Sequence, residues 1–138
     1  MAVSDAAVEA ALARGHTIDI TTTGRRSGKT RRIEIVFHNI GGRIYISGTP
    51  STRKRGWLHN LEADPHLTFH LKDRTKADLP AVARVIDDEA ERRAILPHVA
   101  QAWGRDDVDR MVRYSPLVEV RFEALQKVDD AWPPQAGT

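Results

Sequence analysis

The stretch Arg32-Ile-Glu-Ile-Val-Phe37 decides how this chain folds, because large apolar side chains recur in it at every second position. A period of two residues is typical of a β-strand with one buried face. The glycine pair Gly41-Gly42 follows, and Arg43-Ile-Tyr-Ile-Ser47 then repeats the alternation. Upstream, Ile18 and Ile20 alternate with polar residues. Together these segments predict an antiparallel meander of three strands joined by short turns.

The rest of the chain adds three more strands and several helices. A strand is predicted over 67–71, and a weaker one over 77–86 contains Pro80, which indicates an edge strand or a bulge. Parallel neighbours would need long crossovers, so the strands are expected to be antiparallel. We therefore predict a mainly β protein (α+β), with a six-stranded antiparallel barrel and helices on its rim. The other predicted elements are helices over 4–14, 54–63 and 88–103, a loop or short helix over 106–114, and a last strand over 118–122.

Length and composition indicate one globular domain. The domain is expected to span 1–138, with a helical N-terminal segment (1–14) and a frayed tail (128–138). No segment has the roughly 18–20 consecutive apolar residues that cross a bilayer, and the Ala-rich N-terminus does not read as a secretory signal. The chain has no cysteine, which excludes disulfides and thiol catalysis. A cytoplasmic location is expected, with peripheral association with a membrane left open.

The charge distribution is strongly one-sided. Residues 20–61 contain nine Lys or Arg and a single acid, Glu34, so this segment carries +8 while the remainder carries −6. Such a field indicates an anionic partner: nucleic acid, a membrane surface or a ligand with phosphates or carboxylates. Nucleic acid is not the expected partner, because Trp57 is the only aromatic residue near the cations and stacking platforms interleave several.

Three apparent signatures of other chemistry fail on inspection. Gly24-Arg-Arg-Ser-Gly-Lys-Thr30 looks like a phosphate-binding P-loop, but it has three residues between its glycines instead of four and leads into a strand pattern. Ser27 is not in a nucleophile elbow. His66 and His70 have helical metal-ligand spacing, but on a strand they are expected to share a solvated face. No protein nucleophile or metal site is predicted.

Two basic clusters therefore carry the functional inference. The second, Arg53-Lys-Arg55, comes just before a predicted helix, whose first N–H groups favour anions. In the first, forked guanidinium groups, the Ser27 hydroxyl and the backbone amides of Gly24 and Gly28 are expected to donate hydrogen bonds to phosphate or carboxylate oxygens. That cluster consists of Arg25, Arg26, Lys29, Arg31 and Arg32.

Three blocks of sequence in this order resemble the deazaflavin-dependent nitroreductase and quinone reductase family. They are the segment Thr21-Thr-Thr-Gly-Arg-Arg-Ser-Gly-Lys-Thr-Arg31, the strand Arg43-Ile-Tyr-Ile-Ser47, and Trp57-Leu-His-Asn-Leu-Glu-Ala-Asp-Pro65. The resemblance covers about residues 16–125. It implies a split β-barrel and coenzyme F420, a deazaflavin with a phosphate and an oligoglutamate tail. The tail is polyanionic, so the resemblance and the charge distribution converge on the same residues.

The resemblance also implies which residues bind the cofactor. Many relatives continue after the residue equivalent to Ser47 with Lys-Gly-Gly, whereas this chain has Gly48-Thr-Pro50, and Arg53-Lys-Arg55 are expected to replace the missing positive charge. Trp57 has core anchoring as an equal alternative. The expected acceptor-binding residues are Trp103 and Tyr114. The expected cofactor-binding residues are Arg25, Arg26 and Ser27 for the phosphate or tail, Arg31, Arg32 and Ile33 along the groove, and Tyr45, Ile46, Ser47, Gly48, Arg53, Lys54, Arg55, Gly56, Trp57, Leu58, His59 and Asn60 near the deazaflavin.

By resemblance, the expected reaction is hydride transfer from the reduced deazaflavin to a small apolar, electron-poor acceptor such as a quinone, an enone or a nitro compound. No catalytic side chain is needed, because the cofactor carries the hydride while the protein fixes distance and orientation. The alternative is a split barrel that is not catalytic or that holds a different molecule, such as a fatty acid or another lipid, FMN or haem. The chain is expected to be a monomer or a homodimer.

Overall fold

The computed structural model describes residues 5–15 and 17–123, which form a closed barrel of six strands with four helices. The first residue of the predicted helix over 4–14 and the predicted frayed tail over 128–138 lie outside the described residues. The strands are β1 (Thr17–Thr23), β2 (Thr30–Ile40), β3 (Arg43–Ser47), β4 (His66–Lys72), β5 (Lys76–Val85) and β6 (Leu117–Phe122). The helices are α1 (Asp5–Arg14), α2 (Gly56–Ala63), α3 (Glu89–Ala102) and α4 (Val108–Tyr114).

The barrel closes in the order β1-β2-β3-β6-β5-β4, and every neighbouring pair is antiparallel. The predicted meander is confirmed, because β1, β2 and β3 are consecutive neighbours. Phe69 lies at the centre of the interior, with its ring edge-to-face against Phe37 and Phe122 at centroid distances of 5.2 and 4.9 Å. The alternating apolar positions of the strands therefore fill the barrel.

A second apolar cluster lies outside the barrel wall. Leu96 and Val99 of α3 and Met111 of α4 are fully buried there, packed with Tyr45 and Leu117 from the barrel strands. Asp88 begins α3 as predicted, since its carboxylate accepts a hydrogen bond from the Glu91 amide at 2.9 Å. This layer fixes the position of α4, which lies at one side of the groove described below.

The prediction that Pro80 marks an edge or a bulge is wrong. β5 pairs with β4 in continuous register through Pro80, and with β6 from Ala81 onwards. Its proline is tolerated for a different reason. The Pro80 carbonyl accepts from the Glu123 amide at 3.2 Å, just past the end of β6, so the missing N–H falls where the ladder with β6 stops.

The helices around the barrel differ from the prediction in detail. α1 packs Val8, Ala11 and Leu12 against the barrel. α2 begins at Gly56, two residues later than predicted, and the segment over 106–114 contains the short helix α4. Among residues 5–15 and 17–123, no helix has the length and apolar character needed to cross a membrane.

Candidate functional site

The turn between β1 and β2 (residues 24–29, the basic turn) uses its own backbone amides. The Gly24 amide donates to the Lys29 carbonyl at 2.8 Å, and the Gly28 amide donates to the Gly24 carbonyl at 2.9 Å. Gly28 has a φ of +71°, a conformation that favours glycine. The expectation that the Gly24 and Gly28 amides are offered to an anion is therefore wrong. The Ser27 Oγ accepts from the Lys29 amide at 3.1 Å, which leaves its proton available to donate.

Asn60 of α2 holds the basic turn in place. Its side-chain Oδ1 accepts from the Arg25 amide at 3.1 Å, and its Nδ2 donates to the Thr22 Oγ1 at 3.2 Å. Asn60 and Thr22 are both buried. Asn60 therefore connects the first basic cluster with the helix that follows the second one.

The nine cations of residues 20–61 divide into two groups. Three form ion pairs: Arg32 with Asp19 at 2.9 Å, Arg43 with Glu119 at 3.3 Å, and Lys54 with Glu62 at 2.6 Å. Hydrogen bonds from Lys72 and Arg32 also lower the pKa of Asp19. The other six have no ion pair with a carboxylate of residues 5–15 and 17–123. These six are Arg25, Arg26, Lys29, Arg31, Arg53 and Arg55.

A groove of about 580 Å³ lies between the segment that enters α2 and the end of α4 (the α2–α4 groove). It brings together five of the predicted site residues, which are Arg53, Lys54, Arg55, Leu58 and Tyr114. Its other lining residues are Ser51, Thr52, Val85, Ile86, Asp87, Glu89, Arg92, Val112, Arg113, Ser115, Pro116 and Leu117. The basic turn, Trp57, His59 and Trp103 do not line it.

Arg55 covers the backbone of Gly48. A Cβ on Gly48 would lie 3.2 Å from the Arg55 Cζ and 3.1 Å from the Pro116 Cγ. The Arg55 Nη2 donates to the Thr49 carbonyl at 2.9 Å and lies 3.2 Å from the Thr49 Oγ1. The guanidinium of Arg55 therefore occupies the space that a side chain at position 48 would fill.

The predicted site residues on β3 have buried side chains. Tyr45 packs in the cluster beneath α3 and α4, where burial and the neighbouring Glu119 raise its pKa. Ile46 is fully buried in the barrel. The Ser47 hydroxyl donates to the Pro116 carbonyl at 2.6 Å. Ile33 and Trp57 are partly buried against the barrel core. This position agrees with the alternative role of Trp57, which is to anchor its helix on the core.

The two predicted acceptor-binding residues lie apart. Tyr114 lines the groove, is 38% exposed, and has the Arg110 guanidinium carbon 5.5 Å from its ring centroid. Trp103 instead packs edge-to-face on His38, at a centroid distance of 5.1 Å, outside the groove. The structure therefore brings Tyr114, and not Trp103, to the groove.

Arg92 and Ser115 are two of the groove residues that sequence reasoning missed. Arg92 is 9% exposed, and its guanidinium donates to the carbonyls of Ile86 and Val112 at 2.8 Å each. It also donates to the carbonyls of Met111, at 3.3 Å, and Ser115. Burial lowers the pKa of Arg92. Nothing in the helical pattern of α3 distinguishes this arginine from its exposed neighbours.

The histidine pair on β4 does not share a solvated face as expected, because His66 is exposed and His70 is buried. His70 instead lies between two polar partners, with its Nε2 2.7 Å from the Thr21 Oγ1 and its Nδ1 2.6 Å from an Asp78 carboxylate oxygen. In the part of the chain that the structure describes, no group of three or more His, Asp or Glu residues could hold a metal ion.

The closed six-stranded antiparallel barrel, with helices beside a basic groove, places the protein in the class of split β-barrel folds. The conserved hypothetical protein Rv2991 from Mycobacterium tuberculosis is 20% identical, with 89% of this chain and 82% of that chain covered and a TM-score of 0.67. An F420-H2 dependent reductase, FDR-A, is 20% identical over 76% and 93% of the two chains, with a TM-score of 0.55. The heme storage protein HutZ from Vibrio cholerae is 15% identical over 86% and 89%, with a TM-score of 0.63. At these identities the likeness shows the fold alone.

The sequence itself supplies the family. Residues 3–124 match the model of the F420H(2)-dependent quinone reductase family, and the chain belongs to this family. The resemblance carried by the three sequence blocks is therefore confirmed, and the protein is a deazaflavin-dependent oxidoreductase.

Proposed function

We propose that the protein binds coenzyme F420 and, with its reduced form, reduces a small electron-poor acceptor such as a quinone. The observation that carries the proposal is the set of unpaired cations on the basic turn and at its edge, which Asn60 fixes beside α2. When bound, F420 supplies the hydride; every other contribution comes from how the chain binds and orients the two reactants.

The phosphate and oligoglutamate tail fit the basic turn. Arg25, Arg26, Lys29 and Arg31 have no carboxylate partner among the described residues, so their donors are available to an anion. Guanidinium groups bind phosphate and carboxylate oxygens in a forked, directed way. Arg32 and Lys54 contribute to the field, but their hydrogen bonds go to Asp19 and Glu62.

The deazaflavin ring and the acceptor fit the α2–α4 groove. Arg55 lies over Gly48 and places a positive charge next to the position where relatives carry a lysine. Arg53 and Tyr114 line the same groove, one from each side. In this arrangement the tail contacts one side of α2 and the ring the other, with Asn60 between the two regions.

The test is a fluorescence titration of the purified protein with oxidised F420 at low and moderate salt. We expect saturable binding that weakens with salt, because the tail contacts are electrostatic. The double variant R26A/R31A should weaken F420 but not the same deazaflavin without its phosphate and tail. The control R74A/K76A removes two exposed cations on and before β5, which have no ion pair with a described carboxylate, and should leave F420 affinity unchanged.

Two outcomes would contradict the proposal. Equal F420 affinity in wild type and R26A/R31A would remove the tail site from the basic turn. No F420 binding by the wild-type protein would reject the cofactor itself and redirect the titration to FMN, haem and fatty acids.

A further inference from the structure

One buried polar atom of the residues that line the α2–α4 groove makes no hydrogen bond within the described part of the chain. Ser115 follows α4, is 3% exposed and lines the groove. Its side-chain Oγ has no hydrogen-bond partner among residues 5–15 and 17–123. A hydroxyl that is removed from water and left unpaired destabilises a protein, so such atoms are rare and require an explanation, such as a catalytic role or a bound partner.

Both backbone polar groups of Ser115 make hydrogen bonds, so the side-chain hydroxyl is its one polar group without a partner among the described residues. The Ser115 amide donates to the Met111 carbonyl at 2.9 Å. Its carbonyl accepts from the guanidinium of Arg92. The residue therefore has a fixed main chain and one polar side-chain atom without a partner among the described residues.

The surroundings of Ser115 specify the kind of partner. Arg55 and Arg113 line the same groove, and neither has an ion pair with a carboxylate of the described residues. Val112, Pro116 and Leu117 supply apolar surface next to them. A flat molecule that is apolar in its body and carries an oxygen acceptor at one edge matches this lining.

We propose that Ser115 donates a hydrogen bond to a carbonyl oxygen of the acceptor, and that it is a specificity-determining residue of the groove. This inference rests on the proposed function, since it assigns a specificity-determining residue to the same site. A hydrogen bond to a carbonyl oxygen strengthens as that oxygen becomes negative during reduction, so Ser115 assists the reaction as well as the binding.

The test compares two ligands that differ in their oxygens. Menadione (2-methyl-1,4-naphthoquinone) carries two carbonyl groups, and 2-methylnaphthalene has the same apolar skeleton without them. Binding of each to the cofactor-free protein is measured by saturation-transfer NMR titration. The chain has no cysteine, so menadione cannot add to a protein thiol during the titration.

Ser115→Ala should weaken menadione binding about two- to twelvefold, the range of one hydrogen bond, and leave the binding of 2-methylnaphthalene unchanged. The matched control is Thr52→Ala, which removes an exposed hydroxyl from the same groove and should change neither ligand. The melting temperature of Ser115→Ala should equal or exceed that of wild type, because the hydroxyl has no partner in the free protein.

Three results would overturn the inference. Equal menadione affinity in wild type and Ser115→Ala would remove the carbonyl contact. A lower melting temperature in Ser115→Ala would show that the hydroxyl is structural. Weaker F420 binding by Ser115→Ala would assign the residue to the cofactor. F420 is titrated against the same variant. If Ser115→Ala changes neither menadione affinity nor F420 affinity, the inference fails and the proposed function stands. If the wild-type protein does not bind F420, the proposed function is rejected on its own.

Discussion

The Asn60 Oδ1 accepts a hydrogen bond from the Arg25 amide at 3.1 Å, across 35 positions of sequence. The same side chain donates to the buried Thr22 Oγ1. One amide group therefore sets where the basic turn lies relative to α2, the helix whose Leu58 lines the groove. Because the tail of the cofactor is charged along its length, its affinity depends on where these cations are held and not only on how many there are.

Replacement of Asn60 by alanine should lower both stability and F420 affinity. The Arg25 amide and the Thr22 hydroxyl would lose their partner, which should reduce the free energy of unfolding by about 1–3 kcal/mol. The measurement is urea unfolding together with the F420 titration. Asn39→Ala is the matched control, because Asn39 also makes two hydrogen bonds, to the Leu12 carbonyl and from the Gly42 amide, away from the site. It should lower stability alone; equal loss of F420 affinity in both variants would contradict the positioning role of Asn60.

A side chain at position 48 should displace Arg55. In Gly48→Ala the new Cβ would approach the Arg55 Cζ to 3.2 Å and the Pro116 Cγ to 3.1 Å, so both neighbours must give by a few tenths of an ångström. We expect a loss of about 1–2 kcal/mol in the free energy of unfolding, as for other overpacked sites. Urea unfolding of Gly48→Ala, Arg55→Ala and the double variant forms a cycle. The Gly48→Ala penalty should shrink in the Arg55→Ala background; an unchanged penalty would assign the strain to Pro116 alone.

The fold could be predicted from sequence because each strand shows its period locally. Ile18, Phe37 and Phe69 each belong to an alternating run, and the glycine turns between runs require antiparallel neighbours. The prediction of an edge strand or a bulge at Pro80 failed because the sequence pattern of β5 does not show where β6 ends. The cost of a proline depends on whether its N–H faces a paired strand, and that is settled only by long-range register.

The residues of the candidate site could be predicted where charge or the family resemblance identified them. The sequence shows the cations of the basic turn but not which of them have a carboxylate partner. Arg32 pairs with Asp19 of β1, and this pairing depends on how β1 and β2 align. Arg92 and Ser115 were missed because each reads as an ordinary polar residue. Their roles arise from the packing of α3 against α4, which no local pattern encodes.

His38 should make stability fall below neutral pH. Its side chain is 9% exposed, its Nε2 has no hydrogen-bond partner in the described residues, and burial lowers its pKa from the ordinary value of 6.5. The unfolded chain therefore binds a proton that the folded chain resists. The contribution of His38 is fully present above about pH 6.5 and is lost progressively as the pH falls from there towards the folded-state pKa.

Urea unfolding between pH 5 and pH 7.5 measures this contribution. His38→Gln should flatten the decline in stability on the acid side relative to wild type. The control His98→Gln alters an exposed histidine of α3 and should follow the wild-type profile. Parallel profiles for His38→Gln and wild type would show that His38 does not carry the pH dependence.

Arg92 should contribute far more to stability than its neighbour Arg93. In Arg92→Met the carbonyls of Ile86 and Val112 lose their donors in a buried environment, as do those at the end of α4, which should reduce the free energy of unfolding by about 2–4 kcal/mol. Arg93 pairs with Asp109 at the surface, where ion pairs contribute little, so Arg93→Met should change stability only slightly. Urea unfolding of the two variants gives the comparison.

Arg92 should also support ligand binding in the groove, because its guanidinium donates a hydrogen bond to the carbonyl of Ser115. Arg92→Lys keeps the charge but not the forked guanidinium, so it should weaken menadione binding as well as lower stability. Retained menadione affinity in Arg92→Lys would show that the groove does not depend on this arginine.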